Sequence, residues 1–385
     1  MKVAVLHSRY RSDGPSGENV AVDQQISALD DAGVEVLPIV ASTDVLRSSR
    51  FYSVKAAARV SSFTGVSPDE ALEKFAPEII HVHNLFPNFS YGWLKKWASR
   101  TVATLHNFRP ICAAGTLYRA GNTCRLCPDR SSFHAVRHAC YRDSSAQSIP
   151  LALATRSSGR HNPLITYSQA RIALNEEARL TYRTYFPDLK FDMVPNFVWA
   201  PSSGPPRPRS GFLFAGRLVE EKGVRWLLEN WLEGERLYLA GDGPLRAWIE
   251  QETEKSSKCK YLGSLERADL IRLLASVEGV VVPSMWSEGL PTIILESLAM
   301  GTPVIVSNKM GASSSLEAGG GCVGFDVTLK SSLRDAIERL RVNFPKLSVA
   351  AREQYLQSYS PEIWTRRILQ VYDDVLSAPK NIGRC

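Results

Sequence analysis

The sequence predicts an α/β protein built from two doubly wound, parallel-sheet domains, and three observations carry that expectation. Strand-like apolar runs alternate with helix-like spacing on both sides of a break at Pro201–Ser210, which holds Gly204, Pro205, Pro206 and Pro208. The length of 385 residues suits two domains, each able to bury its own core. Apolar and charged fractions of 44% and 22% belong to a globular protein. No run approaches the roughly 18 apolar residues of a membrane span.

Taken in order, Lys2–His7 reads as a buried strand and not a leader, because the apolar run stops at His7 and Arg9 and Arg11 follow. The chain is therefore expected to stay in the cytoplasm. Asn19–Ala32 has helical spacing ended by Gly33. Glu35–Val40 is a strand, Pro68–Phe75 a helix, Ile79–Val82 a strand, Tyr91–Ala98 a helix and Val102–Leu105 a strand. Leu164–Tyr167 and Ile172–Ala173 read as two more strands. Beyond the break come strand Gly211–Ala215, helix Gly223–Glu229, strand Leu237–Ala240, helix Pro244–Glu252 and strand Tyr261–Leu262. Helix Arg267–Ala275, strand Val280–Val282, helix Thr292–Met300, strand Pro303–Ser307 and helix Lys330–Asn343 follow. Ser360-Pro361 opens a last helix, with Trp364, Ile368, Val371, Tyr372 and Val375 at helical spacing. The domains are expected at 1–200 and 201–360.

Glu288 and Glu296 are the most informative pair. Val280–Val282 runs into a loop at Pro283, and Pro291 fits the first turn of the next helix, which Gly301-Thr-Pro303 stops. One acid thus sits on a loop at a helix N-terminus and the other inside that helix. The N–H groups of Gly289, Leu290 and Thr292 point toward the same space, at the end of a helix that attracts anions. Hydroxyl-binding carboxylates beside a phosphate-attracting amide cluster suit a sugar nucleotide. Upstream, Gly216 lets backbone approach a ligand at a strand end, and Arg217 and Lys222 set two cations at the strand–helix turn that follows.

The Glu288–Glu296 segment resembles the E-x7-E signature of the retaining family 4 glycosyltransferases of the GT-B fold. Gly216-Arg217 through Lys222-Gly223 is similar to that family's G-R-x4-K-G motif. The resemblance spans essentially the whole chain and is tightest over Phe212–Asn308. It implies two Rossmann-like domains facing a cleft, with the last helix, 361–385, crossing back to the first domain. It implies that Arg217 and Lys222 hold the donor diphosphate, that Glu296 accepts from the nucleotide ribose, and that Glu288 contacts hydroxyls of the transferred sugar. Tyr261-Leu262-Gly263 matches the segment that meets the base. Gly17, in Asp13-Gly14-Pro15-Ser16-Gly17-Glu18, falls where the family has a donor-side glycine loop, although the commoner adjacent Gly-Gly is absent. The family also places a histidine where His106 stands, to orient the sugar or to help move the acceptor proton. His83 and Asn84, ending the preceding strand, are candidates for acceptor contact. No Asp-x-Asp occurs, and no cofactor is expected for catalysis.

The net charge of +7 is concentrated. Between residues 101 and 160, eight arginines face two aspartates, a local excess of +6. The Cys/Arg-rich segment 109–142 also carries Cys112, Cys124, Cys127 and Cys140. Their Cys-x-x-Cys core in a cytosolic chain suggests a structural zinc site; four reduced thiols in an acceptor loop are the plain alternative. Arg119, Arg125 and Arg137 are candidates for an anionic acceptor or an anionic membrane surface.

The chain is thus expected to be a retaining hexosyltransferase (EC 2.4 type), using a UDP-sugar and a glycan or lipid-linked acceptor. It would serve cell-surface polysaccharide or glycoconjugate synthesis, in the cytoplasm or at the inner membrane face, without nucleic acid. A sugar-nucleotide epimerase of the same fold, or an inert basic subunit binding membrane or nucleic acid, are the alternatives.

Overall fold

The computed structural model describes residues 1–9, 17–44, 65–200, 208–287 and 289–378. Glu288, Asp13–Ser16 and residues 201–207 of the expected linker lie outside them. The chain forms two compact units. Met1–Arg119, Thr123–Pro195 and Trp364–Cys385 make the first, and Ala120–Asn122 with Asn196–Ile363 the second.

In the first unit the strands are β1 (Lys2–Arg9), β2 (Glu35–Ser42), β3 (Ile79–Asn84), β4 (Thr101–Leu105), a hairpin of β5 (Tyr118–Arg119) and β6 (Asn122–Thr123), β7 (Ala170–Ala173) and β8 (Asp192–Met193). Six of them form one sheet in the order β2-β1-β3-β4-β7-β8, every pair parallel. Ala4, Leu6, Ile80, Val82, Ala103 and Leu105 build the core on one face. On the other face of β3 and β4 lie His81 and Thr104, beneath Tyr372 of the helix Pro361–Ser377. From Trp364 onward that helix belongs to the first unit.

The second unit repeats the plan with β9 (Phe212–Ala215), β10 (Leu237–Ala240), β11 (Cys259–Tyr261), β12 (Gly279–Val282), β13 (Val304–Ser307) and β14 (Cys322–Phe325), ordered β11-β10-β9-β12-β13-β14. Alternate residues go to opposite faces. Phe212, Phe214, Leu237, Leu239, Val281, Ile305 and Val323 pack on one side, and Leu213, Ala240, Val280, Val282, Val304 and Val306 on the other. Both faces are covered by helices, which is why these strands read as unbroken apolar runs.

Several segments differ from expectation. Leu164–Tyr167 is not a strand: Asn162 accepts the Leu164 N–H and Pro163 starts a short helix, Pro163–Thr166. Tyr91–Ala98 resolves into two 3₁₀ turns, Gly92–Lys95 and Ala98–Arg100. The helices Ser145–Ala154, Glu176–Tyr185 and Phe344–Ser358 and the strand β14 add to the expected set.

Glycine 223 fixes the turn that carries the candidate phosphate loop. Its φ is +71°, and a Cβ there would lie 2.0 Å from the Pro283 carbonyl oxygen. Gly223→Ala should therefore destabilise the protein by about 2–4 kcal/mol, from left-handed strain plus overpacking. Gly234→Ala, also at positive φ (+88°) but in open space, should cost only the strain. Urea unfolding of the two variants checks this; equal midpoints would show that the close approach to Pro283 carries no weight.

Candidate active site

In the second unit the candidate donor residues sit on loops leaving the C-terminal ends of β9 to β12, the edge where doubly wound sheets bind ligands. Backbone hydrogen bonds tie those loops together. Gly216 N–H reaches Ala240 O (3.0 Å), Leu218 N–H reaches Asp242 O (2.9 Å), Gly241 N–H reaches Gly263 O (2.9 Å) and Met285 N–H reaches Glu221 O (2.9 Å). Leu262 joins the same edge through its N–H to Leu239 O.

Gly216 and Arg217 are exposed and Lys222 is half-buried on the 3₁₀ turn Glu220–Lys222. Arg217 lies 3.7 Å from Glu221, its charge otherwise open to solvent. Gly289 is exposed, Leu290 buried, and Thr292 opens the helix Thr292–Ala299, with Pro291 as its N-cap residue and not inside its first turn. Glu296 is buried within that helix, 3.8 Å from Arg267. Burial raises its pKa, and Arg267 pulls it back. A buried carboxyl with one exposed cation for company is built to receive hydrogen-bond donors.

The first unit gathers histidines. His83 and Asn84 end β3, and His106 follows β4; His83 Nδ1 and His106 Nε2 are 3.0 Å apart. With Asn107, Arg109 and Tyr91 they line a cavity of about 50 Å³. Behind them His81 binds Tyr372 OH and Thr104 Oγ1, both at 2.7 Å. Burial pushes His81 and His106 down to about 3 and His83 well below its usual value, so all three are neutral.

Gly17 is exposed at the start of the helix Gly17–Asp31. The neighbouring Glu18 faces His7 of β1 at 3.9 Å. Burial raises the Glu18 carboxyl to about 7, against a hydrogen bond from the Asn84 side chain and the charge of Arg109. Sequence reasoning missed Glu18, His7 and His81. Glu18 stood beside Gly17 in the segment already singled out, but its depth could not be read from spacing.

Arg119, Arg125 and Arg137 are exposed. Arg119 and Arg137 both act electrostatically on His138, whereas Arg125 acts on Tyr185. Cys112, Cys124, Cys127 and Cys140 are reduced. Among the described residues no group of three or more His, Cys, Asp or Glu side chains is arranged to hold a metal ion. The four thiols of the zinc reading share one neighbourhood: Cys112, Cys124 and Cys140 act electrostatically on Cys127, and Cys112 and Cys124 on Cys140. Cys127 and Cys140 also pack against Phe86, Ala113 and Ala135, and Cys127 Sγ donates to Ser132 O at 3.7 Å. Burial first, then the neighbouring sulfurs, push Cys127 up to about 12, and a neutral thiol suits that setting.

Two Rossmann-like parallel sheets, the second with a glycine–cation loop and a buried helix acid at its ligand-binding edge, make up the GT-B fold. Residues 209–343 match the family model described as Glycosyl transferases group 1, which bears out the kinship that the Glu288–Glu296 segment implied. An uncharacterized glycosyltransferase of Methanocaldococcus jannaschii is 35% identical over 107 residues, 26% of this chain and 27% of that protein. The Escherichia coli UDP-Gal:alpha-D-GlcNAc-diphosphoundecaprenol alpha-1,3-galactosyltransferase is 28% identical over 162 residues, 36% of this chain and 42% of that one. Matches to the first curated relatives thus span about a quarter of their length. Anabaena HepE, solved in complex with UDP, superposes with a TM-score of 0.63 at 14% identity, covering 97% of this chain and 100% of HepE. That likeness is one of fold.

The buried histidines set a pH dependence. His81, His83 and His106 stay neutral when folded and take up protons near 6.5 when unfolded, so below 6.5 the unfolded state binds more protons. Glu18 acts oppositely between 4.5 and about 7, with one proton. The balance of three protons against one favours unfolding on acidification. The thermal midpoint should fall from pH 6.5 to pH 5. A midpoint that held or rose would contradict the buried neutral histidines.

Proposed function

We propose that this chain is a retaining glycosyltransferase that moves a hexose from a UDP-sugar to a glycan or lipid-linked acceptor, in cell-surface polysaccharide or glycoconjugate synthesis. The observation that carries the reading is the joining of the Gly216–Gly223 loop and the Glu296 helix at one edge of the second unit's sheet. In such a reaction the bond from the anomeric carbon to the diphosphate breaks, negative charge grows on the nucleoside diphosphate, and the acceptor oxygen bonds the same carbon as its hydroxyl proton passes to the departing diphosphate. Arg217 and Lys222 would stabilise that growing charge, where electrostatics contributes most. Glu296 would accept from the ribose, and Glu288 from the transferred sugar. His106, neutral by burial, would act on the sugar as a hydrogen-bonding group and not as a cation.

UDP as the base-bearing group is supported by its presence in the HepE complex and in the name of the Escherichia coli relative. A corynebacterial relative named as GDP-mannose-dependent keeps the guanine alternative in the test. Calorimetry should show UDP binding, weakened at least tenfold by Arg217→Ala and by Glu296→Gln, since hydrogen bonds to charged groups contribute about 1.5–3 kcal/mol. Transfer by Arg217→Ala and Glu288→Ala should drop on the order of a hundredfold. Near-normal activity in both would sink the transferase reading, and binding of GDP or ADP alone would sink the UDP assignment. Free sugar as the product, seen by NMR, would favour the epimerase.

The exposed Arg119, Arg125 and Arg137 would serve a phosphate-bearing acceptor at an anionic membrane surface. The galactosyltransferase relative's diphosphoundecaprenol acceptor is of that chemistry. No described helix is long and apolar enough to cross a membrane, so contact would be peripheral. Replacing the three arginines with Gln should lower affinity for anionic vesicles, each cation contributing about 1 kcal/mol, with UDP affinity unchanged. Loss of UDP affinity with vesicle binding intact would reverse the assignment.

A further inference from the structure

A cavity of about 360 Å³ opens on the second unit, where Gly234 and Cys259 place it at the N-terminal ends of β10 and β11. The candidate donor residues leave the opposite ends of that sheet, the length of β10 away, roughly 10 Å for its four residues. The cavity is therefore no part of the donor site. Its volume falls in the span of small-molecule sites, roughly 300–1,000 Å³. Two tryptophans form its apolar wall. The Trp231 indole N–H donates to Glu235 O at 2.9 Å, and its ring stands edge-on to Phe212. Trp248, on the helix Arg246–Glu254, carries the Arg225 guanidinium over its ring at 4.1 Å. Both rings are half-buried against the core that holds Phe212 and Leu237, so they keep their places while still lining the cavity.

The charges that remain open decide what fits between them. Glu229, Glu233 and Lys258 are exposed on the cavity wall, and among the described residues none makes a side-chain hydrogen bond or salt bridge; Lys255 is already paired with Glu252 at 2.7 Å. Two open carboxylates against one open ammonium disfavour a phosphate. A cation would meet Lys258 and the guanidinium that already occupies Trp248. A hydrocarbon would strip water from the carboxylates and return no donor. A sugar meets every demand at once: its C–H face packs on an indole ring, and its hydroxyls donate to carboxylate and accept from ammonium. We propose that this cavity is a second, non-catalytic saccharide site, taking a neutral hexose unit against Trp231 and Trp248 with its hydroxyls on Glu229, Glu233 and Lys258. That the hexose belongs to the glycan this chain extends rests on the transferase reading. A glycan held there stays on the protein between transfers, which raises the effective concentration of its growing end.

The decisive measurement follows the indole N–H signals of Trp231 and Trp248 in the ¹⁵N NMR spectrum of the full chain. The probes are the methyl α-glycosides of glucose, galactose and mannose, with and without saturating UDP. At least one of them should move the Trp248 signal saturably, in the millimolar range and equally with UDP present. In the Glu229→Gln, Glu233→Gln double variant, whose altered side chains are exposed and leave the core intact, that affinity should fall about tenfold. UDP affinity should stay within twofold. No saturable movement with any of the three glycosides overturns the proposal, as does unchanged affinity in the double variant. Displacement of the sugar by UDP would assign the signal to the donor edge and overturn it too. Failure of the wild type to bind UDP sinks the transferase reading, and the Trp248 titration still decides the saccharide site.

Discussion

The hydrogen bond between His81 and Tyr372 spans 291 residues and closes the first unit. His81 sits on a central strand, fully enclosed, and a polar ring there is tolerable only if both nitrogens are satisfied. Thr104 on the neighbouring strand satisfies one and Tyr372 on the last helix the other. Each hydroxyl can donate or accept, so either neutral tautomer fits. An imidazolium between them would lose its charge's solvation with no anion in return, and burial alone drives the pKa down to about 3. The last helix is thereby keyed to one register on the sheet, with Trp364, Ile368, Val371 and Val375 buried along the same face.

That keying has a consequence at the sheet's edge. Side chains alternate along β3, so fixing His81 fixes His83 on the same face, two residues nearer the C-terminal end. His83 in turn meets His106 at 3.0 Å. The cavity's polar wall is therefore an extension of the buried network, and its histidines inherit the network's neutrality. In the second unit the setting is reversed: Arg217 is exposed and Lys222 half-buried, on a turn set by a left-handed glycine. One unit offers neutral hydrogen-bonding groups and the other offers cations, a division that suits a hydroxyl-bearing ligand and a diphosphate respectively.

What the sequence revealed follows from which interactions are local. The strands of the second unit announce themselves because a sheet covered on both faces needs continuous apolar runs, and Val280–Val282 and Val304–Val306 are such runs. The glycine–cation loop is legible because only certain residues make that turn. The helix Pro163–Thr166 was hidden by the apolar pair Leu164-Ile165, whose strand-like look is overruled by Asn162 and Pro163 before it. The helix Glu176–Tyr185 was hidden because its polar face dominates, though Asn175 caps it through the Ala178 N–H.

Neither Glu18 nor the cysteines could have been placed by spacing, and for opposite reasons. Cys-x-x-Cys is a local pattern whose metal reading needs two distant thiols to converge in tetrahedral array. Cys112, Cys124 and Cys140 all come within electrostatic reach of Cys127, and Cys127 and Cys140 also pack against Phe86 and Ala113, beside the Arg109 guanidinium that stacks on the same Phe86 ring. Glu18 has no local pattern at all; its place, 3.9 Å from His7, is set by the packing of its helix against β1. The same Phe86 supplies the N–H that fixes Asn84. The cysteine segment and the cavity wall thus meet through Phe86: Cys127 and Cys140 pack against its cluster, and its backbone N–H holds Asn84.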